Sequence, residues 1–330
     1  SNTIDLKLTR TDKFMRLHTL NLELGLDHYT SASSDSIDPH TLSSASSADT
    51  RFYPSAAYSI RNPKNGFTYG GSLSFSSEYD YTSIGAGIQL AKSSKDNNRE
   101  LSANLQAYID RWKVILPIEL RDYTQEGSNE GYKPRNSYSA SFTYSQVINP
   151  KLQLALIMDL ITQQGLLSTP FHRVYLDTHE VTTEKLPDSR FKVPVAIRAN
   201  YFMTDRIILR SYYRFYSDNW GMRSNTFNLE MPVKITPYFS LTPFYRFYNQ
   251  GAATYFAGKF EHDATDVYHT SDYDLSKFHS HFEGIGLRYL PEHGVFNWHL
   301  LNTVEVRYGH YNRSTGLTSN ILTLDAKFKL

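Results

Sequence analysis

The sequence is dominated by stretches in which apolar and polar residues alternate with a period of two. The last stretch shows the pattern plainly, with one face formed by Leu322, Leu324, Ala326, Phe328 and Leu330 and the other by Thr323, Asp325, Lys327 and Lys329. Because successive side chains of a β-strand point to opposite faces, such a stretch predicts a strand with two different environments. Helical spacing would mix the two sets of residues.

Fourteen stretches of this kind predict an all-β protein. They lie at about 17–29, 50–60, 67–77, 81–92, 99–111, 137–148, 151–162, 191–203, 206–217, 222–235, 238–249, 278–290, 295–310 and 317–330. Short breaks such as Asn149-Pro150 and Thr236-Pro237 follow the even-numbered strands and are typical of tight turns. Long segments follow several odd-numbered strands, at about 30–49, 112–136, 163–190 and 250–277.

Short turns on one rim and long loops on the other are typical of transmembrane antiparallel β-barrels of the bacterial outer membrane. The sequence therefore predicts a single barrel domain over residues 1–330, with about 14 strands, short periplasmic turns and long extracellular loops. Residues 1–16 would form a short periplasmic N-terminal segment. A soluble β-sandwich or propeller also alternates, but its strands are usually shorter than these. The 25 Tyr and 19 Phe residues suit strands and membrane interfaces.

Composition argues against several functional classes. The chain has no cysteine, which excludes disulfides, zinc–thiolate sites and thiol nucleophiles. A formal net charge of +1 gives no bulk attraction to nucleic acid. We expect no cofactor, and outer-membrane lipid and lipopolysaccharide as the main surroundings, with other outer-membrane or periplasmic proteins as candidate partners. Ser168, His172 and Asp177 share one predicted loop, but their order along the chain does not establish a catalytic geometry, so we expect no enzyme.

If the apolar face meets lipid, the polar face lines the lumen. The charged residues that this places in the lumen are Arg198, Arg210, Arg214, Glu230, Arg246, Arg288, Glu23, Asp27, Asp110 and Asp159. The arginines concentrate on the eighth to eleventh strands, whereas the acidic residues lie mainly on the first, fifth and seventh. Such a transverse field orients polar solutes in a narrow pore. The same charges could instead pair across the barrel and close it.

Two predicted loops carry further candidates. In the loop at about 250–277, Asp263, Asp266, Asp272 and Asp274 are weak candidates for a divalent metal site, because such ions prefer clustered oxygens, although solvated loops are often acidic. The apolar segment Trp112–Leu120 either plugs the barrel mouth or extends the fifth strand.

Five segments resemble an uncharacterised domain-of-unknown-function family of predicted outer-membrane proteins, common in Bacteroidota. They are DYTSIGAGIQLAKSSKDNN (80–98), PDSRFKVPVAIRANYFMTD (187–205), SYYRFYSDNWGMRSNTFNLEMPVKI (211–235), LTPFYRFYNQGAATYFA (241–257) and TSDYDLSKF (270–278). The resemblance extends over about residues 20–330. It implies an outer-membrane location and a barrel, and it supplies neither an activity nor site residues.

Two hypotheses for function follow. The first is a passive pore or transport component for small polar solutes. The second is a structural or accessory subunit of a larger outer-membrane complex, with a closed lumen. A surface enzyme is a third and weaker alternative.

Overall fold

Strands form nearly all of the regular structure in the computed structural model, which describes residues 1–30, 48–114, 116, 120, 131–169 and 171–329. The first eight strands are β1 (Asn2–Thr11), β2 (Leu17–Thr30), β3 (Ala48–Asn62), β4 (Phe67–Ser77), β5 (Tyr81–Ser93), β6 (Arg99–Lys113), β7 (Tyr132–Asn149) and β8 (Leu152–Gly165). The next six are β9 (Arg173–Tyr175), β10 (Val181–Thr183), β11 (Ser189–Phe202), β12 (Ile208–Asp218), β13 (Arg223–Glu230) and β14 (Val233–Lys234). The last four are β15 (Phe239–Gln250), β16 (Phe278–Tyr289), β17 (Leu301–Arg313) and β18 (Thr318–Phe328).

Sixteen of these strands form one antiparallel sheet in which sequence neighbours pair in order from β1 to β18. The short strands β9 and β10 pair only with each other, and β14 pairs with β15 beside β13. All fourteen predicted strands are confirmed. The predicted strand at 222–235 is divided into β13 and β14 around Pro232, which has no N–H to donate to a neighbouring strand.

The N-terminal prediction is wrong. Residues 1–16 were expected to form a short periplasmic segment, but Asn2–Thr11 is a full strand that pairs with β2 over ten residues. Its alternation is short, with apolar side chains only at Ile4, Leu6 and Leu8. The long register with β2 is a tertiary contact that this local pattern did not indicate.

The connections alternate between the two rims as predicted. One rim carries brief turns such as 63–66 and 150–151. The strand ends that are joined across 31–47, 114–131, 166–188 and 251–277 lie at the other rim. Short 3-10 helices lie in connections at Tyr273–Leu275 and Val295–Asn297. Among the described residues, no helix is long and apolar enough to cross a membrane.

The two ends of the sheet run in the same direction. Both β1 and β18 run from the long-loop rim toward the short-turn rim, and each pairs with one neighbour only among the described residues. Direct pairing of these two strands would therefore be parallel, whereas every other pair in the sheet is antiparallel. Backbone groups along both outer edges still need hydrogen-bond partners, especially in an apolar environment.

One face of the sheet exposes large apolar side chains along the length of the chain. Leu73 is 67% exposed, and Leu322 and Leu324 are 73% and 70% exposed. The buried apolar residues, in contrast, lie mostly near the long-loop rim, as with Val174, Leu167 and Trp220. A continuous exposed apolar face of this size requires lipid or another apolar partner to cover it.

Candidate functional site

The strand register places all ten predicted lumen charges on the same face of the sheet, opposite the exposed leucines. Pairs along the sheet connect them step by step: Asp110 lies opposite Ser83, and Asp159 lies opposite Ser141. Further along, Arg210 lies opposite Glu230. We call this surface the polar face. That it lines a lumen stays a prediction.

The ion pairs of the polar face run along the wall, between strands close to one another. Glu230 of β13 accepts from Arg307 of β17 at 3.1 Å and lies 3.9 Å from Arg210 of β12. Arg307 also lies 3.8 Å from Glu305. Among the described residues, no ion pair joins these strands to Glu23, Asp27, Asp110 or Asp159, so the charges do not pair across the sheet from one wall to the other.

The polar face of β4–β7, which we call the serine half, carries mainly small side chains. Its residues include Ser72, Ser74, Ser76, Ser83, Gly85, Gly87, Ser102, Ser137, Ser139, Ser141 and Ser145. Asp110 is the buried charge of this half, and one carboxylate oxygen accepts from the Tyr81 hydroxyl while the other has no hydrogen-bond partner. Small hydroxyl groups leave space in front of the sheet and can bind water.

The polar face of β11, β12, β13, β15, β16 and β17, which we call the arginine half, is filled by longer side chains. The rings of Phe244 and Phe282 lie 5.2 Å apart, with Arg307 4.7 Å above the first ring and Arg246 5.9 Å above the second. Arg246 Nε also donates to Asn228 Oδ1 at 2.7 Å. These contacts hold the cations in place, because a guanidinium is attracted to an aromatic face.

At the long-loop rim, the connections 166–188 and 251–277 pack on each other to form what we call the loop cap. Backbone hydrogen bonds join them, including Lys185 N–H to His269 O at 3.0 Å and Asp177 N–H to His262 O at 2.9 Å. A buried cluster of Leu167, Leu186 and Trp220 anchors the cap to the end of the sheet. The two loops are far apart in sequence, and only their packing brings them together.

The four predicted metal-binding carboxylates do not gather at one point. Asp263 accepts from the N–H and hydroxyl of Thr265, which lowers its pKa, and Asp274 pairs with Arg313 at 2.5 Å. Asp266 lies 3.6 Å from the buried His262. Asp272 lies instead near Glu184 and His172, two residues of the other loop that the metal prediction did not include. Burial is the main cause that raises the pKa of Glu184.

The remaining loop candidates are placed as follows. Ser168 Oγ accepts from the N–H of Leu186 at 2.8 Å, and among the described residues no hydrogen bond joins Ser168, His172 and Asp177 to one another. The expectation that the protein is not an enzyme stays a prediction. Of the segment 112–120, Trp112 and Lys113 extend β6, as one of the two alternatives proposed, and residues 115 and 117–119 lie outside the described residues.

Comparison with known structures identifies the same architecture. A mutant of the ferric enterobactin receptor PfeA from Pseudomonas aeruginosa is 9% identical, with a TM-score of 0.51 over 94% of this chain and 50% of the receptor chain. Another PfeA mutant, in complex with enterobactin, is 10% identical, with a TM-score of 0.52 over 94% and 51%. This chain therefore spans about half the length of these receptors. At such identity the similarity shows the fold alone, that of outer-membrane β-barrels.

No curated protein matches the sequence. A family described as "Protein of unknown function (DUF3570)" matches residues 30–314, which is most of the chain and covers the loop cap and all strands from β3 to β17. The chain belongs to this DUF3570 family.

Proposed function

We propose that the protein is an outer-membrane β-barrel that lets small polar solutes pass along its polar face. The observation that carries this proposal is the division of the sheet into an exposed apolar face and a polar face on which all ten predicted charges lie. A sheet with this division suits lipid on one side and water on the other. The fold shared with outer-membrane barrels supports the location.

The arginine half gives the proposed path a preference for anions. Arg198, Arg210 and Arg246 are exposed on the polar face, so each can meet a passing solute. Glu230, an acidic residue of the same half, is already paired with Arg210 and Arg307. The side chains of the serine half are mostly small and neutral. Small anionic solutes would thus follow the arginines while water fills the space before the serines.

Planar-bilayer recording of the folded protein tests this proposal. We expect discrete conductance steps with anion selectivity, and we expect the selectivity to fall when Arg210, Arg214 and Arg246 are all replaced by serine. A matched control removes three cations from short turns, as Lys64→Ser, Lys95→Ser and Arg206→Ser, and should leave selectivity unchanged. Equal loss in both variants would mean that net charge, and not the polar face, sets the preference.

A second function, an accessory subunit with a closed lumen, is favoured by one observation. The rings of Phe244 and Phe282 are tilted against each other, with Arg246 and Arg307 over them, and these contacts join side chains of three strands of the arginine half, β15, β16 and β17. Such packing stabilises the polar face and leaves less space for a solute to pass. No conductance from folded protein, in the parent or in the triple serine variant, together with a stoichiometric partner purified from native membranes in mild detergent, would support this function and contradict the pore.

A further inference from the structure

Three side chains with metal-ligating atoms meet inside the loop cap. His172 and Glu184 come from the connection 166–188, and Asp272 comes from the connection 251–277. One nitrogen of the imidazole and one oxygen of each carboxylate all lie within 4.8 Å of one another. Ligand atoms around a tetrahedral zinc ion at about 2.1 Å are roughly 3.4 Å apart, so small side-chain rotations would complete the geometry.

Glu184 is the most firmly positioned of the three. It is 5% exposed, and its carboxylate accepts hydrogen bonds from the Thr270 hydroxyl and from the Thr169 N–H, the latter at 2.5 Å. Thr270 itself is fully buried. Groups that orient a ligating carboxylate in this way are typical of metal sites, where they hold the ligand before the ion arrives.

Asp272 is positioned by the 3-10 helix that follows it. Its carboxylate accepts from the N–H of Asp274 at 2.8 Å, and its own N–H donates to Thr270 Oγ1 at 3.0 Å. The helix is tied to the sheet because Arg313 of β17 pairs with Asp274 at 2.5 Å and also donates to Tyr273 O. The carboxylate of Asp272 is therefore held beside Glu184 by contacts that do not involve a metal.

His172 supplies an independent sign of a missing partner. Its Nδ1 is shielded from solvent and has no hydrogen-bond partner, which is costly for a buried polar atom. The backbone of the residue is fixed on both sides, by its N–H to Thr169 O and by its carbonyl accepting from the Glu184 N–H, each at 3.0 Å. The three other histidines of the cap differ, because each places a ring nitrogen against a backbone carbonyl. The pairs are His179 with Asp177, His262 with Thr270 and His269 with Thr183.

We propose that His172, Glu184 and Asp272 bind one divalent transition-metal ion, for which zinc is the probe. One imidazole and two carboxylates suit zinc better than calcium, because calcium prefers oxygen ligands alone. A dication also offsets the repulsion between the two neighbouring carboxylates. Three protein ligands leave a fourth position for water or for a solute group.

One of the three ligands, Glu184, borders a cavity. The cavity has a volume of about 470 Å³, lies between the cap and the end of the sheet, and is lined by Glu184, Ser168, Lys133 and His269 among others. Because the ligands belong to two loops, a bound ion would join those loops and stabilise the cap. The proposal does not depend on the pore, since an ion can bind the cap of an open or a closed barrel.

Equilibrium dialysis of the full chain, folded in detergent, with zinc chloride and elemental analysis tests the site. We expect one zinc ion per chain, weaker binding of calcium, and an affinity reduced by about 100-fold or more in His172→Gln and in Asp272→Asn. Thr270→Val removes the hydroxyl that donates to Glu184 and accepts from the Asp272 N–H, and it should reduce affinity by about 10-fold. Zinc should also raise the thermal midpoint of the parent but not of His172→Gln.

Asp263→Asn is the matched control, because it removes an exposed carboxylate of the same loop that lies outside the cluster. It should bind zinc like the parent. Each variant is first checked for folding by the heat-dependent gel shift of outer-membrane barrels, and Asp272→Asn keeps an oxygen to accept the Asp274 N–H. Failure of the folded parent to bind zinc, or binding that survives both His172→Gln and Asp272→Asn, would overturn the proposal.

Discussion

The serine half and the arginine half belong to one polar face but are built differently. In the serine half, side chains such as Ser72, Ser74 and Ser141 are short and neutral. In the arginine half, Arg307 contacts Glu230 at 3.1 Å and lies over the Phe244 ring at 4.7 Å. The strands pair in the same way in both halves, so the difference comes from side chains alone. The short side chains of the serine half leave space in front of the sheet. In the arginine half, longer side chains occupy that space and hold the charged groups in place.

Next to the arginine half, a buried tryptophan anchors the loop cap. Its removal should cause the largest loss of stability among these variants. Trp220 is 3% exposed, its indole N–H donates to Ser189 O at 3.0 Å, and Arg190 lies 4.2 Å over its ring. We expect Trp220→Ala to cost about 3 kcal/mol. Guanidinium unfolding in detergent measures this loss. The matched control is Trp298→Ala, at a half-exposed tryptophan on the short-turn rim, and a loss there as large as at Trp220 would contradict this account of the cap.

Two glycines of the polar face compare the packing of the halves directly. A Cβ at Gly284, in the arginine half, would lie 2.1 Å from the backbone oxygen of Tyr308, so the strands would have to move apart. A Cβ at Gly87, in the serine half, would meet side-chain oxygens of Gln106 and Ser72, which can rotate away. We expect Gly284→Ala to cost about 1–3 kcal/mol and Gly87→Ala clearly less. Thermal unfolding followed by gel shift measures both, and equal losses would remove this distinction between the halves.

The ion pairs of the arginine half should contribute less to the free energy of unfolding. Glu230→Gln leaves Arg307 and Arg210 without their carboxylate, and because all three side chains are partly exposed we expect a loss of about 1 kcal/mol or less. The loss should shrink as salt is raised. Glu100→Gln is the counterpart in the serine half, where the only donor to the carboxylate among the described residues is Ser93 Oγ, and it should have little effect on stability. A loss at Glu230 that does not change between low and high salt would argue against an electrostatic origin.

The smallest effect on stability should come from Asp12, in the turn between β1 and β2, which belongs to neither half. Loss of solvent contact tends to raise the pKa of Asp12, but hydrogen bonds from Arg16, His18 and Phe14 outweigh it and hold the pKa well below its ordinary value. A lowered pKa means that this stabilisation is present above the ordinary value and is lost as the pH falls below it. Unfolding midpoints of the parent and of Asp12→Asn should therefore converge at low pH. A difference that widens on acidification would contradict this sign.

The alternation of the sequence was sufficient to predict fourteen strands, the two rims and the face on which each charge lies. These features follow from the backbone geometry of a strand, in which neighbours point to opposite sides whatever the strand pairs with. The same local rule located Glu230 on the polar face, but it contained no information on its contact with Arg307, which spans two intervening strands. It also missed β1, whose three apolar residues became significant only through pairing with β2.

The loop cap shows most clearly what only the tertiary structure decided. Asp272 was a candidate metal ligand from sequence. Two other candidates of the same loop have other partners, since Asp263 accepts from Thr265 and Asp274 pairs with Arg313. The side chains beside Asp272 are those of His172 and Glu184, which come from a loop far earlier in the chain. Period-two alternation ends where the strands end, so it has no bearing on how two irregular loops meet. The alternation by itself determined the sheet and its two faces, because both are local properties of the backbone. The ion pairs of the arginine half, the position of β1 at the edge of the sheet and the cluster of three side chains in the loop cap depend on strand register and long-range packing. Only the folded chain defines these.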